Sequence, residues 1–389
     1  MTKTLIAFMA LLTLSGASVA DSLDQALAKT LQRGWPGVGV LVETAGGQVK
    51  VATAGLANIE TGAPMTPATG FHMCSINKTF TAVAILRLVD QGKLSLDRRV
   101  IDILGQPVVK RIPNITDITV AQLLDHSSGI YPTNNDPAYI KTLVGSDAFT
   151  GRVWTPEEMI ELATLPENKP VAKPGEGHHY SDTNYILLGM IVESVSGETL
   201  KNHIARTILE PLGMGATYFY SDVLIGKRTT PAAVANGYIK LTNDLTDAVV
   251  FNPGFKSPRL GWLNTSAAAE RVDAAGGLVT TLADLHRFAS ALFRGKLLSS
   301  RSQAFMSAVS GEMVGAEIGK QKTRALQGAA TSFGFVLFKE GDGPGGFNTL
   351  MAYHPGSDSI FIGFTNEFGS FDEVDVLMMD VMSTTIPSQ

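Results

Sequence analysis

Only one of the 389 residues is a cysteine, Cys74, so no internal disulfide can hold the chain together. A lone cysteine is expected to act as a small buried apolar side chain. Charge is also sparse, at 17% of residues with a formal net charge of -5. No block of like charge, low-complexity run or internal repeat occurs, which excludes a charged tail or long linker. The slight acidity argues against nucleic acid, whose phosphates need a basic face. After the N-terminus no stretch approaches the roughly 20 apolar residues of a membrane span. His126, His178 and His179 are present, but H-E-x-x-H and paired-cysteine spacings are not, so zinc hydrolysis has no motif behind it. G-x-S-x-G is missing as well, which counts against an α/β-hydrolase elbow. No metal or organic cofactor is expected.

What is present is a globular composition, 44% hydrophobic, long enough for one large core or two domains. The N-terminus is ordered as a secretory signal. Lys3 gives a positive start, "LIAFMALLTL" a short apolar run, and "SGASVA" a small-residue stretch ending at Ala20. Cleavage near Ala20 and a secreted or periplasmic location are therefore expected. Further on, "GVGVLVET", "GG" and "QVKVATAGLAN" read as a hairpin. Ser75 to Gln91 is apolar and free of glycine and proline, and Gly92 stops it as a helix. "DITVAQLLDH", "TPEEMIELATL", "NYILLGMIVESVSG" and "TLADLHRFASALFRG" read as further helices. "FGFVLF", "FNTLMAY" and "SIFIGFTN" return to strands near the C-terminus. Strands at both ends with helices between suggest a sheet domain built from both termini around a helical insertion. The expected divisions are a signal at 1–20, a sheet domain from 21–72 and 272–389, and a mostly helical domain at 73–271.

Within "CSINKTF", residues 74–80, Ser75 and Lys78 stand three apart. On a helix they share one face. The helix N-terminus supplies N–H groups and partial positive charge, which suit a developing oxyanion. A lysine at the start of a buried helix is partly desolvated, which favours a neutral amine able to take the serine proton. Taken alone, the pair also fits a capping serine beside a snorkelling lysine.

Several longer segments alter that balance. "GFHMCSINKTFTAVAILRLVDQGKLSLD", "AQLLDHSSGI", "KPGEGHHYSDTNYILLGMIVESVSG", "LEPLGMGATYF", "AAGGLVTTLADLHRFASAL" and "FNTLMAYHPGSDSIFIGFTN" together resemble serine hydrolases of the penicillin-binding-protein and class C β-lactamase type, which include D-peptidases and esterases. The segments stand in the family's order and cover most of the chain after the signal. The resemblance implies a β-lactamase/transpeptidase-like fold of α/β + α class, an antiparallel sheet flanked by helices with an inserted helical domain. The site would lie at the junction. Ser75 resembles the nucleophile, Lys78 its partner, and Tyr180 the tyrosine of a second motif that usually reads Y-x-N. Asp182 stands where that motif has asparagine, and an acid there would hydrogen-bond Lys78 and keep it charged. A second "YSD", from Tyr220, lacks the following helix and is a decoy.

The family's third motif, Lys-Thr-Gly or His-x-Gly, is the least clear. "HPG" from His354 fits the letters but falls where a hairpin turn is expected. Counting back from "FNTLMAY" reaches "KEGDGPGG", with Glu340 or Asp342 at the first position, so an acid replaces the usual cation. A backbone donor for the oxyanion is still needed, and since Pro344 has no N–H, Gly343 or Gly345 is expected to supply it. Trp262 is a candidate pocket residue, though a packed tryptophan fits as well. The expected function is an exported serine hydrolase that cleaves small amides or esters (D-amino-acid peptides, carboxyl esters or β-lactams) through a Ser75 acyl-enzyme. Partners would be small molecules or short peptides. The alternative is a penicillin-binding-like protein that binds cell-wall peptides with little turnover.

Overall fold

The computed structural model describes residues 19–144, 153–229, 234–240, 262–266, 273–313, 320–323, 325–343, 345–368 and 373–386. The apolar run of the expected signal lies outside these residues. Helix α1 (Val19–Gln32) leads into strands β1 (Gly37–Glu43), β2 (Val49–Asn58) and β3 (Ala63–Pro64). The expected first hairpin is β1–β2, paired in register from Gly37 with Gly55 to Glu43 with Val49. After β4 (Phe71–His72) come α2 (Asn77–Asp90), α3 (Val120–Leu124), α4 (Pro137–Val144), α5 (Pro156–Ala163) and α6 (Asp182–Ser196). Short strands follow: β5 (Tyr218–Phe219), β6 (Tyr238–Lys240), β7 (Trp262–Asn264) and β8 (Leu278–Thr280). The helix Leu282–Phe293 precedes β9 (Val309–Met313), β10 (Lys320–Thr323), β11 (Gln327–Thr331), β12 (Gly334–Gly343), β13 (Phe347–His354), β14 (Ser359–Thr365) and β15 (Glu367–Phe368). A helix at Glu373–Thr385 follows.

Nine strands form one antiparallel sheet in the order β3-β2-β1-β14-β13-β12-β11-β10-β9. Strands from both ends of the sequence meet at its centre, where Val38 faces Thr365. Side chains alternate between two cores, as the pleat requires. Val38, Val40, Val42, Phe338, Ala352 and Phe361 pack with α1 and the C-terminal helix. Leu41, Leu337, Met351, Ile360, Ile362 and Phe364 join the larger core shared with α2 and α6. With helices on both faces, β14 is buried at every residue, which is why its sequence reads as an unbroken apolar run rather than an alternating one.

The helix boundaries follow their chemistry. Thr119 and Thr155 each close a capping box, with Gln122 and Glu158 at the third helical position. Gly197 ends α6 in the left-handed region at φ 76°. Helix α2 is buried from Asn77 through Leu86. Three of its polar side chains donate to three successive carbonyls of one segment. Asn77 Nδ2 donates to Asp273 at 2.6 Å, Thr81 Oγ1 to Ala274 at 2.8 Å, and Lys78 Nζ to Ala275 at 2.8 Å. This holds the start of α2 rigidly beside the sheet.

Candidate active site

Ser75 sits in a single turn of 3-10 helix, Cys74–Ile76, that runs directly into α2. Cys74 enters this turn at φ 47°, a left-handed conformation that is uncommon for a side chain with a Cβ. Its thiol is buried, as expected of a lone cysteine. The Ser75 hydroxyl is 2.7 Å from the Tyr180 hydroxyl and accepts a hydrogen bond from Lys78 Nζ at 3.0 Å. Tyr180 and Asp182 arrive from the entry to α6, whose first helical residue is Asp182. The Asp182 carboxylate is 2.8 Å from Lys78 Nζ, with the two side chains 7% and 1% exposed. The structure thus brings Ser75, Lys78, Tyr180 and Asp182 together around one point.

Lys78 Nζ therefore donates to Ser75 Oγ and to the Ala275 carbonyl, and has its counter-charge in the Asp182 carboxylate. An ammonium carries three N–H bonds and no lone pair. The arrangement is that of a charged lysine paired with a buried carboxylate. The neutral amine expected from burial alone is not what this geometry describes, because Asp182 supplies the counter-charge. Ser75 Oγ accepts from Lys78, and either hydroxyl of the Ser75–Tyr180 pair can donate to the other, so a proton can pass between them in both directions. The phenol is neutral at rest. Partial loss of water around its hydroxyl raises it above the ordinary tyrosine range although the residue as a whole is 39% exposed, with Lys78 opposing and Asp182 adding to the rise.

The third motif requires a correction. The stretch after Phe338 does not leave the sheet as a loop but continues as β12 to Gly343, pairing with β13 as far as Phe347. Lys339, not Glu340 or Asp342, turns into the site. It is 8% exposed, and its Nζ lies 5.5 Å from the centre of the Tyr180 ring. Burial, then the nearby Lys78, lowers its ammonium to about 8. The expected loss of the cation on this strand is therefore overturned: "KEG" carries it one residue earlier. Lys339, Gly341 and Gly343 share a face by strand alternation. A Cβ on Gly341 would meet Met73 O at 2.4 Å, Thr349 Oγ1 at 2.6 Å and Ser75 N at 3.0 Å. Only glycine allows the strand to come so close to Ser75. Glu340 is tied to β11 through Gln327, whose side chain it meets from both its N–H and its carboxylate.

Strand alternation also bears on the expected oxyanion donor. N–H groups alternate between the two edges of an antiparallel strand. The Glu340 N–H points to the β11 side, where it meets Gln327. Asp342 shares that direction, whereas the Gly343 N–H turns toward β13. The pairing of β11 stops opposite Phe338, so by alternation the Asp342 N–H points to an edge that β11 no longer covers, next to Gly341, whose α-carbon is the part of the strand near Ser75. Gly343 instead packs its α-carbon over Cys74, where a Cβ would stand 3.2 Å from Sγ, and its carbonyl accepts from Gly346 at 3.0 Å in the hairpin.

Other candidates lie elsewhere. His354 occupies the β13–β14 turn, with Nδ1 against Ser357 at 2.8 Å and Nε2 against the Phe333 carbonyl at 3.0 Å. Trp262 is a packed residue of β7, in a small cluster with Ile59 and Tyr238. The decoy at Tyr220 belongs to a separate polar cluster, in which Lys201 meets Asp222 at 2.7 Å and Asp273 at 3.2 Å. No group of three or more metal-ligating side chains occurs among the described residues. Sequence reasoning missed Lys339, Gly341 and the Ala275 carbonyl. The first two were visible as K-x-G one step before the position chosen, but a backbone carbonyl leaves no trace in a sequence.

The beta-lactamase family model matches residues 18–380. The chain belongs to the beta-lactamase family. Among curated family members, it is 28% identical over 259 residues to a putative D-alanyl-D-alanine carboxypeptidase of Escherichia coli strain K12, covering 62% of this chain and 55% of the relative. The chain thus spans about half the length of that relative. Among solved structures, a D-stereospecific amidohydrolase from Streptomyces sp. superposes with a TM-score of 0.76 at 26% identity, covering 94% of this chain and 98% of its own. The D-amino acid amidase of Ochrobactrum anthropi SV3 has a TM-score of 0.79 at 21% identity, covering 95% and 98%. The fold is accordingly the β-lactamase/transpeptidase-like one, with an antiparallel sheet flanked by helices.

Proposed function

We propose that this family member is an exported serine hydrolase that cleaves small amides or esters of D-amino acids through an acyl-enzyme on Ser75. The observation that carries the reading is the Ser75 hydroxyl held 2.7 Å from Tyr180 and 3.0 Å from Lys78. The substrate class rests on what the names of its relatives say, a D-stereospecific amidohydrolase and a D-amino acid amidase. Export rests on the order of the first 20 residues.

Ser75 Oγ attacks the substrate carbonyl carbon and passes its proton to the Tyr180 oxygen. Tyr180, neutral at rest, gives its own proton to the departing nitrogen or oxygen, so the phenol is unchanged at the end of the step. The carbonyl oxygen, now negative, is received by the N–H groups of Ser75 and Asp342. The Lys78 ammonium, fixed by Asp182 and Ala275, steadies the serine oxygen as its proton departs. Water then repeats the relay in reverse: its proton passes through Tyr180 to Ser75 Oγ, and the acid leaves.

Ser75→Ala is expected to lower kcat for a p-nitrophenyl ester by at least about 10⁴-fold and to abolish labelling by a fluorophosphonate. The melting temperature should stay close to that of the wild type. Mass spectrometry of the labelled wild-type protein checks the site, and label on another serine overturns the assignment. Comparing D- and L-phenylalanine amide as substrates tests the stereochemical part.

A further inference from the structure

His126 has no part in the relay above, yet it touches Tyr180 in two ways. Its ring lies 4.5 Å from the Tyr180 ring at 31°. Its Nδ1 accepts the backbone N–H of Ser181, the next residue, at 3.2 Å. Because a backbone N–H can only donate, Nδ1 is unprotonated and the ring hydrogen is on Nε2. The Asn184 amide points the same way. Its Oδ1 accepts from Ser128 Oγ at 2.5 Å, so its Nδ2 is the atom facing His126 Nδ1, at 3.1 Å. One ring nitrogen thus receives two donors, from the loop before α6 and from the helix itself. The residue is 6% exposed and sits at φ 57°. Its backbone carbonyl accepts from His179 N at 2.8 Å, closing the same loop from the other side.

We propose that His126 is a positioning residue for the proposed reaction, holding the Tyr180–Ser181 peptide and the Tyr180 ring so that the phenol stays on Ser75. The proposal rests on Ser75 as nucleophile, and it explains why a buried histidine is kept in a strained backbone conformation. The acceptor at Nδ1 fixes the peptide plane, and the ring face limits the tilt of the phenol. Without the acceptor, two donors lose their partner and the tyrosine hydroxyl is free to drift from the serine.

Asparagine is the discriminating substitution. Its Oδ1 occupies the position of Nδ1, and it tolerates the left-handed backbone. A displacement of about 1 Å at a reacting group costs roughly 10²-fold. For p-nitrophenyl acetate, His126→Ala should therefore lower kcat by about 30- to 100-fold, with KM within about threefold and a matching fall in the fluorophosphonate labelling rate. His126→Asn should recover to within about fivefold of the wild type. A folded His126→Ala protein with wild-type kcat overturns the proposal, as does a His126→Asn protein as slow as the alanine variant. If the alanine variant does not fold, nitrogen-15 spectra of histidine-labelled wild-type protein still decide. An unprotonated Nδ1 at His126, identified by its absence in His126→Asn, is expected, and a proton on Nδ1 overturns the assignment. Wild-type protein that takes no label at Ser75 removes the nucleophile reading on which the proposal stands, whatever the variants do.

Discussion

Lys339 carries a charge that pH can remove within the working range of most hydrolases. Its ammonium is lowered to about 8, chiefly by burial, so it is a cation below that pH and an amine above it. A substrate with a free carboxylate gains from the cation through a charge-assisted contact. For such a substrate, kcat/KM is expected to fall as pH rises through about 8, with the slope of one proton, while a neutral ester changes less. Lys339→Met should flatten that limb and lower kcat/KM for the carboxylate substrate at pH 7 by about 10- to 100-fold, equivalent to about 1.4–3 kcal/mol. Rate profiles from pH 6 to 10 on a matched carboxylate and neutral pair provide the check. If Lys339→Met retains the limb, another group titrates there. Lys78 stands in contrast at the same scale. It donates to Ser75 and Ala275 and is buried beside the Asp182 carboxylate, so its role depends on a partner that the sequence showed plainly at position 182. Asp182 is legible from one letter in a motif, whereas Lys339 is masked in the sequence by the acids Glu340 and Asp342 that follow it.

Strand β12 is the element that decides the site. Its far end must remain a strand past Phe338, and it must approach the Ser75 turn without a side chain at Gly341. Gly341→Ala places a Cβ against the Met73 carbonyl and Thr349, both fixed by their own hydrogen bonds. The strand must then shift away from Ser75. A drop in kcat of about 100-fold or more is expected, with a stability loss of about 1–3 kcal/mol from the forced contact. Urea unfolding and ester hydrolysis on the same preparation separate the two effects, and a variant with full activity would show that the approach is not needed. At the β13–β14 turn the expectation is the opposite. His354→Ala removes a buried ring bound to Phe333 and Ser357. It should cost about 1–3 kcal/mol of stability and leave ester turnover within about a factor of three, less than about 1 kcal/mol of barrier. A hundredfold loss of turnover would restore "HPG" to the site. The turn itself was legible, since "HPG" stood between two apolar runs. The course of "KEGDGPGG" was not, because glycine and proline hide a strand whose reason for existing is tertiary: it closes against Cys74 and Ser75.

For the whole molecule, the order of elements was readable where local chemistry sets it. Capping boxes at Thr119 and Thr155, the glycine stop at Gly197 and the β1–β2 hairpin need no distant partner. The nine-stranded order was not readable from periodicity, because β14 is covered on both faces and carries no alternation. The resemblance implied an antiparallel sheet flanked by helices, and not the number or order of its strands. What periodicity could not supply in any form was the direction of single N–H groups, which is why Gly343 stood in for Asp342. The central pairing of β1 with β14 brings Val38 to Thr365 across nearly the full described length. Such non-local pairing is slow to form, since the ends must find each other before either gains a partner. The site is complete only when β12 lies against the Ser75 turn, since Gly341 and Gly343 of that strand pack on Ser75 and Cys74. Covalent labelling of Ser75 is therefore expected to report the docking of β12 as well as the chemistry of the serine.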